Sequence, residues 1–188
     1  MNILEITKAY AIQCHTETNH LYDGKPYEVH LQMVINAAEQ FIHLIPEEAR
    51  LEVLSGCWVH DCIEDCRQTY NDVKKATSVA VAELAYALTN EKGKNRDERA
   101  NDKYYNDMKA TPYAVFIKYC DRIANVTYAQ RQQSRMFGVY QRENEAFINK
   151  IHQPAYDEMA TYLRGLFAQW WSICRAIFFS FKSFSQIW

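Results

Sequence analysis

Apolar residues recur at intervals of about three and four positions along almost the whole chain, and no convincing alternation of apolar and polar residues is found. This pattern predicts an all-α protein. Helices are expected near residues 2–15, 28–44, 47–66, 69–75, 78–89, 96–109, 112–134, 138–149 and 152–182. The breaks between them coincide with glycine and proline, which interrupt helices, as at Asp23-Gly24-Lys25-Pro26, Pro46 and Pro112.

The end of the chain differs from the rest in its aromatic content. We predict one helical-bundle domain over residues 1–165 and an amphipathic, aromatic helix over 166–188. Arg175 near the centre of this last segment disfavours a membrane-spanning helix. Three interpretations stay open: the helix packs on the domain, forms a dimer surface, or lies at a membrane interface.

Composition narrows the class of protein. Hydrophobic residues make up 48% and charged residues 23%, as in globular proteins, and the net charge of −2 gives no electrostatic reason to expect nucleic acid as a partner. No basic and apolar leader is visible, so we expect a cytoplasmic protein. The six cysteines form no CxxC pair and are expected to be reduced, buried thiols.

The segment WVHDCIED, residues 58–65, concentrates polar chemistry in an apolar region. His60 and Asp61 are followed closely by Glu64 and Asp65. Polar groups inside an apolar helix are costly unless a metal ion or a partner satisfies them. The cluster therefore predicts a catalytic centre.

Two ligands hold a metal ion poorly, so further ligands are expected from elsewhere in the chain. His30 opens a predicted helix and Asp121 lies on a later one; with His60 and Asp61 they would leave coordination positions for water and substrate. Glu64 and Asp65, one helical turn further along, are placed to position or deprotonate a water held by the ion. His15 and His20 precede this region and are candidates to line the site.

The order KPYEVH, HDCIED and CDRIAN resembles the HD-domain phosphohydrolases, specifically their alarmone-hydrolase branch. That branch includes the RelA/SpoT hydrolase domain and small stand-alone alarmone hydrolases. The resemblance covers roughly residues 5–165, and HDxxED is its most specific element.

The resemblance implies an all-α HD-domain bundle with one divalent metal ion, Mn²⁺. The ion would be held by His30, His60, Asp61 and Asp121, while Glu64 and Asp65 position the attacking water. Asn125 would contact substrate or support the site. The implied reaction removes the 3′-pyrophosphate from a guanosine alarmone of the (p)ppGpp type.

Substrate recognition departs from the family pattern. The family's basic pair before the PYxxH segment is replaced here by the stretch around His20, Leu21 and Tyr22, and Leu31 stands where the family has proline. Arginine and lysine suit phosphate oxygens, and an aromatic ring can stack on a base. The candidates for substrate binding are Asn125, Lys92, Lys94, Arg96, Arg131 and Tyr128.

These observations favour a phosphohydrolase whose partner is a phosphorylated nucleotide. One alternative is an HD nucleotidase or an NADPH 2′-phosphatase acting on another nucleotide. Another is a catalytically silent HD domain that binds a nucleotide or a partner. A homo-oligomer and membrane-surface contact through residues 166–188 stay open.

Overall fold

The structure is a computed structural model that describes residues 2–168, except for the side chains of residues 96 and 97. Helices dominate this part of the chain. This confirms the predicted all-α class. The helices are α1 (Ile3–Glu17), α2 (Glu28–Gln40), α3 (Arg50–Val59), α4 (Cys62–Asp65), α5 (Tyr70–Ala76), α6 (Val79–Leu88), α7 (Arg96–Arg99), α8 (Asp102–Ala110), α9 (Ala114–Arg131), α10 (Arg135–Ile151) and α11 (157–168). Short 3₁₀ turns cover Ile42–Leu44, Glu47–Ala49 and Pro154–Tyr156. Most of the predicted aromatic helix at 166–188 lies outside the described residues.

A short hairpin corrects the expectation that the chain forms no strand. Strands β1 (Leu21–Tyr22) and β2 (Lys25–Pro26) pair antiparallel. Asp23 and Gly24 between them have φ values of 52° and 75°. Positive φ at both central residues is what a type I′ hairpin turn requires, and Asp-Gly is a favoured pair there. Periodicity missed the hairpin because each strand has only two residues.

The predicted continuous helix over 47–66 is wrong at the point that matters most. Helix α3 ends at Val59 and α4 begins at Cys62, so His60 and Asp61 lie on the bend between them. Asp61 has φ −104° and ψ −1°, well away from ideal α-helical values. The bend therefore sets the directions in which the two side chains point. In an unbroken helix these directions would differ.

Close packing of α3 against its neighbours brings the candidate residues together. α2 packs along α9, and α3 packs against α1, α2 and α6. A Cβ atom at Gly56 would lie only 2.7 Å from Cδ1 of Ile117 and 2.8 Å from Cδ1 of Leu84. Glycine at this position therefore permits the close approach of α3 to α6 and α9.

Two composition-based expectations can be compared with the structure. Among the described residues, all five cysteines, Cys14, Cys57, Cys62, Cys66 and Cys120, are buried and unpaired, as predicted. Each helix in that part of the chain is too short or too polar to cross a membrane.

Candidate metal centre

Three elements that pack together carry the predicted ligands. His30 lies in the first turn of α2, His60 and Asp61 lie on the bend after α3, and Asp121 lies in the middle of α9. Both histidines are almost fully buried, at 1% and 2% exposure. The fold thus brings together all four residues that the sequence singled out as ligands.

The ligand atoms converge on a small volume. Nε2 of His30 lies 3.5 Å from Oδ1 of Asp121 and 3.7 Å from Oδ2 of Asp61. Nε2 of His60 lies 2.9 Å from that same Asp61 oxygen and 4.0 Å from Oδ1 of Asp121. Ligand atoms of His30, His60 and Asp121 all lie within 4.8 Å of one another.

Surrounding groups fix these side chains from outside the cluster. Nδ1 of His60 pairs with the carbonyl oxygen of Cys57 at 2.9 Å, which leaves Nε2 toward the carboxylates. The hydroxyl of Tyr27 donates to Oδ2 of Asp61 at 2.5 Å. Such outer contacts orient ligands and set the histidine tautomer in metal sites.

Asp121 has two further partners on its own helix. Nδ2 of Asn125 donates to Oδ1 at 2.5 Å, and Nζ of Lys118 donates to Oδ2 at 3.1 Å. Oδ1 of Asn125 in turn accepts a hydrogen bond of 2.8 Å from the hydroxyl of Tyr22 on the hairpin. The ring of Tyr22 also stacks on His30, with 4.8 Å between ring centroids.

Charge balance keeps both carboxyl groups ionised despite their burial. Burial opposes ionisation of Asp121, but Lys118 and the two histidines hold its pKa well below the ordinary value. Burial also opposes the charged form of His60, yet attraction to Asp61 and Asp121 raises its pKa to about 9. A divalent cation bound by these groups would compete with the proton on His60.

The donor set fits a divalent ion. Nε2 of His60 is buried and makes no well-aligned hydrogen bond, although Oδ2 of Asp61 lies 2.9 Å away, and such unsatisfied atoms call for an explanation. Two imidazole nitrogens and two carboxylates suit a borderline-to-hard cation such as Mn²⁺.

Neither the protein-family models nor the curated proteins match this chain.

Glu64 and Asp65 occupy the helical turn that follows the bend, and both are exposed. The Glu64 carboxylate accepts hydrogen bonds from the backbone N–H and the side chain of Asn90, at 3.2 and 2.9 Å. Partial burial of the Asp65 carboxyl, which retains 37% exposure, and the nearby charges of Asp61 and Glu64 raise its pKa to about 7. A carboxyl group in that range can hold or release a proton at neutral pH.

The predicted substrate-binding residues separate into different places. Asn125 and Tyr128 line one pocket with Tyr22, of ≈ 290 Å³. Lys92 lines another, of ≈ 560 Å³, together with Asn90. Arg131 faces neither of these and lines a cavity formed with α2.

The other cationic candidates are less informative. Lys94 is exposed, and its backbone N–H donates to Glu98 at 2.8 Å. The side chain of Arg96 lies outside the described part of the structure. The guanidinium of Arg122 packs over Phe147 at 4.1 Å, so this basic residue beside Asp121 serves the contact with α10.

Sequence reasoning missed three residues that touch the cluster, namely Tyr22, Tyr27 and Lys118. Tyr27 lies in the KPYEVH segment and Lys118 three positions before Asp121, so both stood beside residues already singled out. Lys118 is one helical turn from Asp121, a spacing at which opposite charges meet. That spacing was the available signal.

Proposed function

We propose that this chain is a metal-dependent phosphohydrolase of the HD-domain, alarmone-hydrolase type, which removes the 3′-pyrophosphate from a (p)ppGpp-type alarmone. The observation that supports the proposal best is the convergence of His30, His60 and Asp121 within 4.8 Å, with Asp61 against both histidines. These residues come from three separate elements. Two of them, His60 and Asp61, belong to the HDxxED segment, which is the most specific element of the sequence resemblance.

His30, His60, Asp61 and Asp121 would hold the ion. A divalent metal ion bound there supplies a water of lowered pKa and an electrophile for a phosphate oxygen. Tyr27, Asn125 and Lys118 keep the two carboxylates in place through the hydrogen bonds they donate. The protein thus orients its metal-binding side chains before a metal ion binds.

Asp65 and Glu64 have distinct tasks in this proposal. Asp65, with its pKa near 7, exchanges the proton between the attacking water and the leaving phosphate oxygen. Glu64 orients the water, and Asn90 fixes the carboxylate of Glu64 through two hydrogen bonds. Proton transfer by a positioned side chain contributes about 10²–10⁴-fold to rate.

A nucleotide base has an aromatic pocket available beside the cluster. Tyr22 and Tyr128 line the ≈ 290 Å³ pocket, and Asn125 connects it to Asp121. Lys25 adds a cation, with Nζ 5.4 Å from the centre of the Tyr128 ring. We propose that the base stacks here, while the cations that receive the phosphates include Lys25 and Lys92.

The test is a nucleotide panel with product identification. The full chain is incubated with Mn²⁺ and either (p)ppGpp, an adenosine alarmone, NADPH or a nucleoside 5′-phosphate, and the products are separated by chromatography. We expect pyrophosphate from (p)ppGpp, lost with a chelator and in Asp121→Asn. Asp102→Asn, at an exposed aspartate on α8 that lies outside these pockets, is the matched control and keeps activity.

A second candidate is supported by the hairpin region. His20, Leu21 and Tyr22 stand where the family has its basic pair, which favours an HD nucleotidase or NADPH 2′-phosphatase. Orthophosphate released from a 5′ or 2′ position in the same panel would establish this candidate and exclude the first. Nucleotide binding without any product would instead indicate a silent binding domain.

The unpaired cysteines among the described residues support a cytoplasmic location as part of the proposal.

A further inference from the structure

A second cluster of metal-binding side chains lies outside the proposed hydrolase centre. His15, His20 and Cys66 each offer a ligand atom, and these atoms all lie within 4.8 Å of one another. His15 and Cys66 are buried, at 2% and 1% exposure, and His20 is partly buried. None of the three is among the ligands of the first cluster.

The fold holds these residues at one place from two directions. His15 lies in the last turn of α1, and the backbone N–H of His20 donates to its carbonyl oxygen at 2.9 Å. Cys66 directly follows α4, whose residues pack against α1. Asn19 has a φ of 50°, so the chain turns sharply between the two histidines and brings their rings together.

The two imidazole rings are already arranged side by side. Their Nδ1 atoms lie 3.0 Å apart, compared with about 3.4 Å expected for two nitrogens bound to one tetrahedral zinc ion. Both rings stack on Tyr27, with centroid distances of 4.2 Å for His15 and 4.0 Å for His20. The rings therefore need little movement to accept an ion.

Two further observations point to a ligand. Nε2 of His15 is buried and has no hydrogen-bond partner, so this ring has one unsatisfied nitrogen besides the Nδ1 that faces His20. On the other side, Nε2 of His20 lies 3.9 Å from Oδ2 of Asp65. A histidine that binds a metal through one nitrogen commonly directs the other to a carboxylate.

We infer that His15, His20 and Cys66 form a second metal site, selective for zinc, with Asp65 orienting His20. A thiolate and two imidazoles favour a softer ion than the oxygen-rich first cluster does. Three protein ligands leave a fourth position for solvent or another ligand. The ion would join the end of α1 to the end of α4.

Cobalt(II) is the probe that isolates this site. Cobalt bound by a thiolate has an intense near-ultraviolet charge-transfer absorption, whereas the first cluster contains no sulfur ligand. Titration of the full chain with Co²⁺ should give this band at an intensity that corresponds to one thiolate-bound ion per chain, and added Zn²⁺ should remove it. Absence of the band would overturn the proposal. This titration does not measure hydrolysis, so its result stands even if the proposed function is wrong.

Variants identify the ligands. Cys66→Ser and His20→Ala should lose the band, while Cys57→Ser, a change at a buried thiol outside the cluster, should keep it. Asp65→Asn should keep the band but weaken cobalt binding about 10–100-fold. A band that survives in Cys66→Ser would refute the assignment.

A measurement on the unmodified chain covers the case in which a variant fails to fold. X-ray absorption of the zinc-loaded protein should show a sulfur neighbour at about 2.3 Å beside nitrogen neighbours at about 2.0–2.1 Å. Zinc surrounded by nitrogen and oxygen alone would place the ion elsewhere and overturn the inference.

Discussion

The hydroxyl of Tyr27 donates a 2.5 Å hydrogen bond to Oδ2 of Asp61, the same oxygen that lies 2.9 Å from Nε2 of His60. Tyr27 begins the turn into α2, whereas Asp61 lies on the bend after α3. One phenol therefore connects the element that carries His30 with the bend that carries two other candidate ligands.

Tyr27→Phe should weaken Mn²⁺ binding about 10–100-fold, because loss of an outer-shell donor leaves the Asp61 carboxylate less well oriented. The measurement is a Mn²⁺ titration followed by electron paramagnetic resonance of the free ion. Tyr70→Phe is the matched control, since Tyr70 also donates to a carboxylate, Glu83, at 2.7 Å. Equal Mn²⁺ affinity in wild type and Tyr27→Phe would show that Asp61 needs no such support.

Glu64→Gln should retain Mn²⁺ affinity but lower kcat by about 100-fold or more, because the amide cannot serve the water as a carboxylate does. The hydrogen bonds from Asn90 to Glu64 offer a competing explanation, namely that Glu64 only fixes the segment after α6. Asn90→Ala separates the two. A loss of kcat as large in Asn90→Ala as in Glu64→Gln would assign Glu64 to that structural task.

Lys118→Met should lower the free energy of unfolding of the metal-free protein by about 3 kcal/mol, because it leaves Asp121 without its nearest cation. Mn²⁺ should restore part of this loss by supplying positive charge at the same carboxylate. Urea unfolding with chelator and with Mn²⁺ measures both quantities. A Mn²⁺-induced gain no greater in Lys118→Met than in wild type would contradict the expectation.

The raised pKa of Asp65 predicts a pH dependence of stability in the metal-free protein. The value is about 7 when folded and 3.8 ordinarily, so between these limits the folded state binds more protons than the unfolded state. The free energy of unfolding contributed by Asp65 therefore falls as pH rises from about 4 to 7. Asp65→Asn should gain stability relative to wild type over that interval.

Urea unfolding in chelator at about pH 4.5 and pH 7.5 measures this change. Asp72→Asn is the comparison, because hydrogen bonds from Thr69 lower the pKa of Asp72 and place its effect below 3.8. Its stability difference from wild type should hardly change between the two pH values. A constant difference for Asp65→Asn as well would show that Asp65 titrates normally.

The helical class and the four ligand candidates were predictable because each depends on local pattern. Apolar periodicity marked the helices. The segments KPYEVH, HDCIED and CDRIAN marked the four candidates His30, His60, Asp61 and Asp121. The bend at His60 and Asp61 was not predictable, since the segment from Leu51 onward is apolar enough for an uninterrupted helix. Packing around Gly56, and not local propensity, decides where α3 runs.

Apart from the convergence of the four ligand candidates, contacts between distant segments could not be predicted from the sequence. His15 and His20 stood only as candidates to line the first site, and their meeting with Cys66, a residue 46 positions beyond His20, depends on the tertiary fold. Lys92, Arg131 and Tyr128 look alike as candidates in the sequence, but they line three different pockets. Their separation arises from the tertiary arrangement of α2, α6 and α9.

The hydrogen bonds through Asn125 have a direction that follows from the chemistry of their two ends. The phenol of Tyr22 donates to the carbonyl oxygen of Asn125, and the carboxylate of Asp121 accepts from its amide nitrogen. The first of these bonds joins residues 103 positions apart, on the hairpin and on α9. Reversing the amide would place its oxygen against the negative charge of Asp121. Aspartate at this position offers no donor, and leucine offers neither group. Asparagine therefore suits this position because its side chain offers an acceptor to Tyr22 and a donor to Asp121. Replacing it would break the connection between the hairpin and the metal centre.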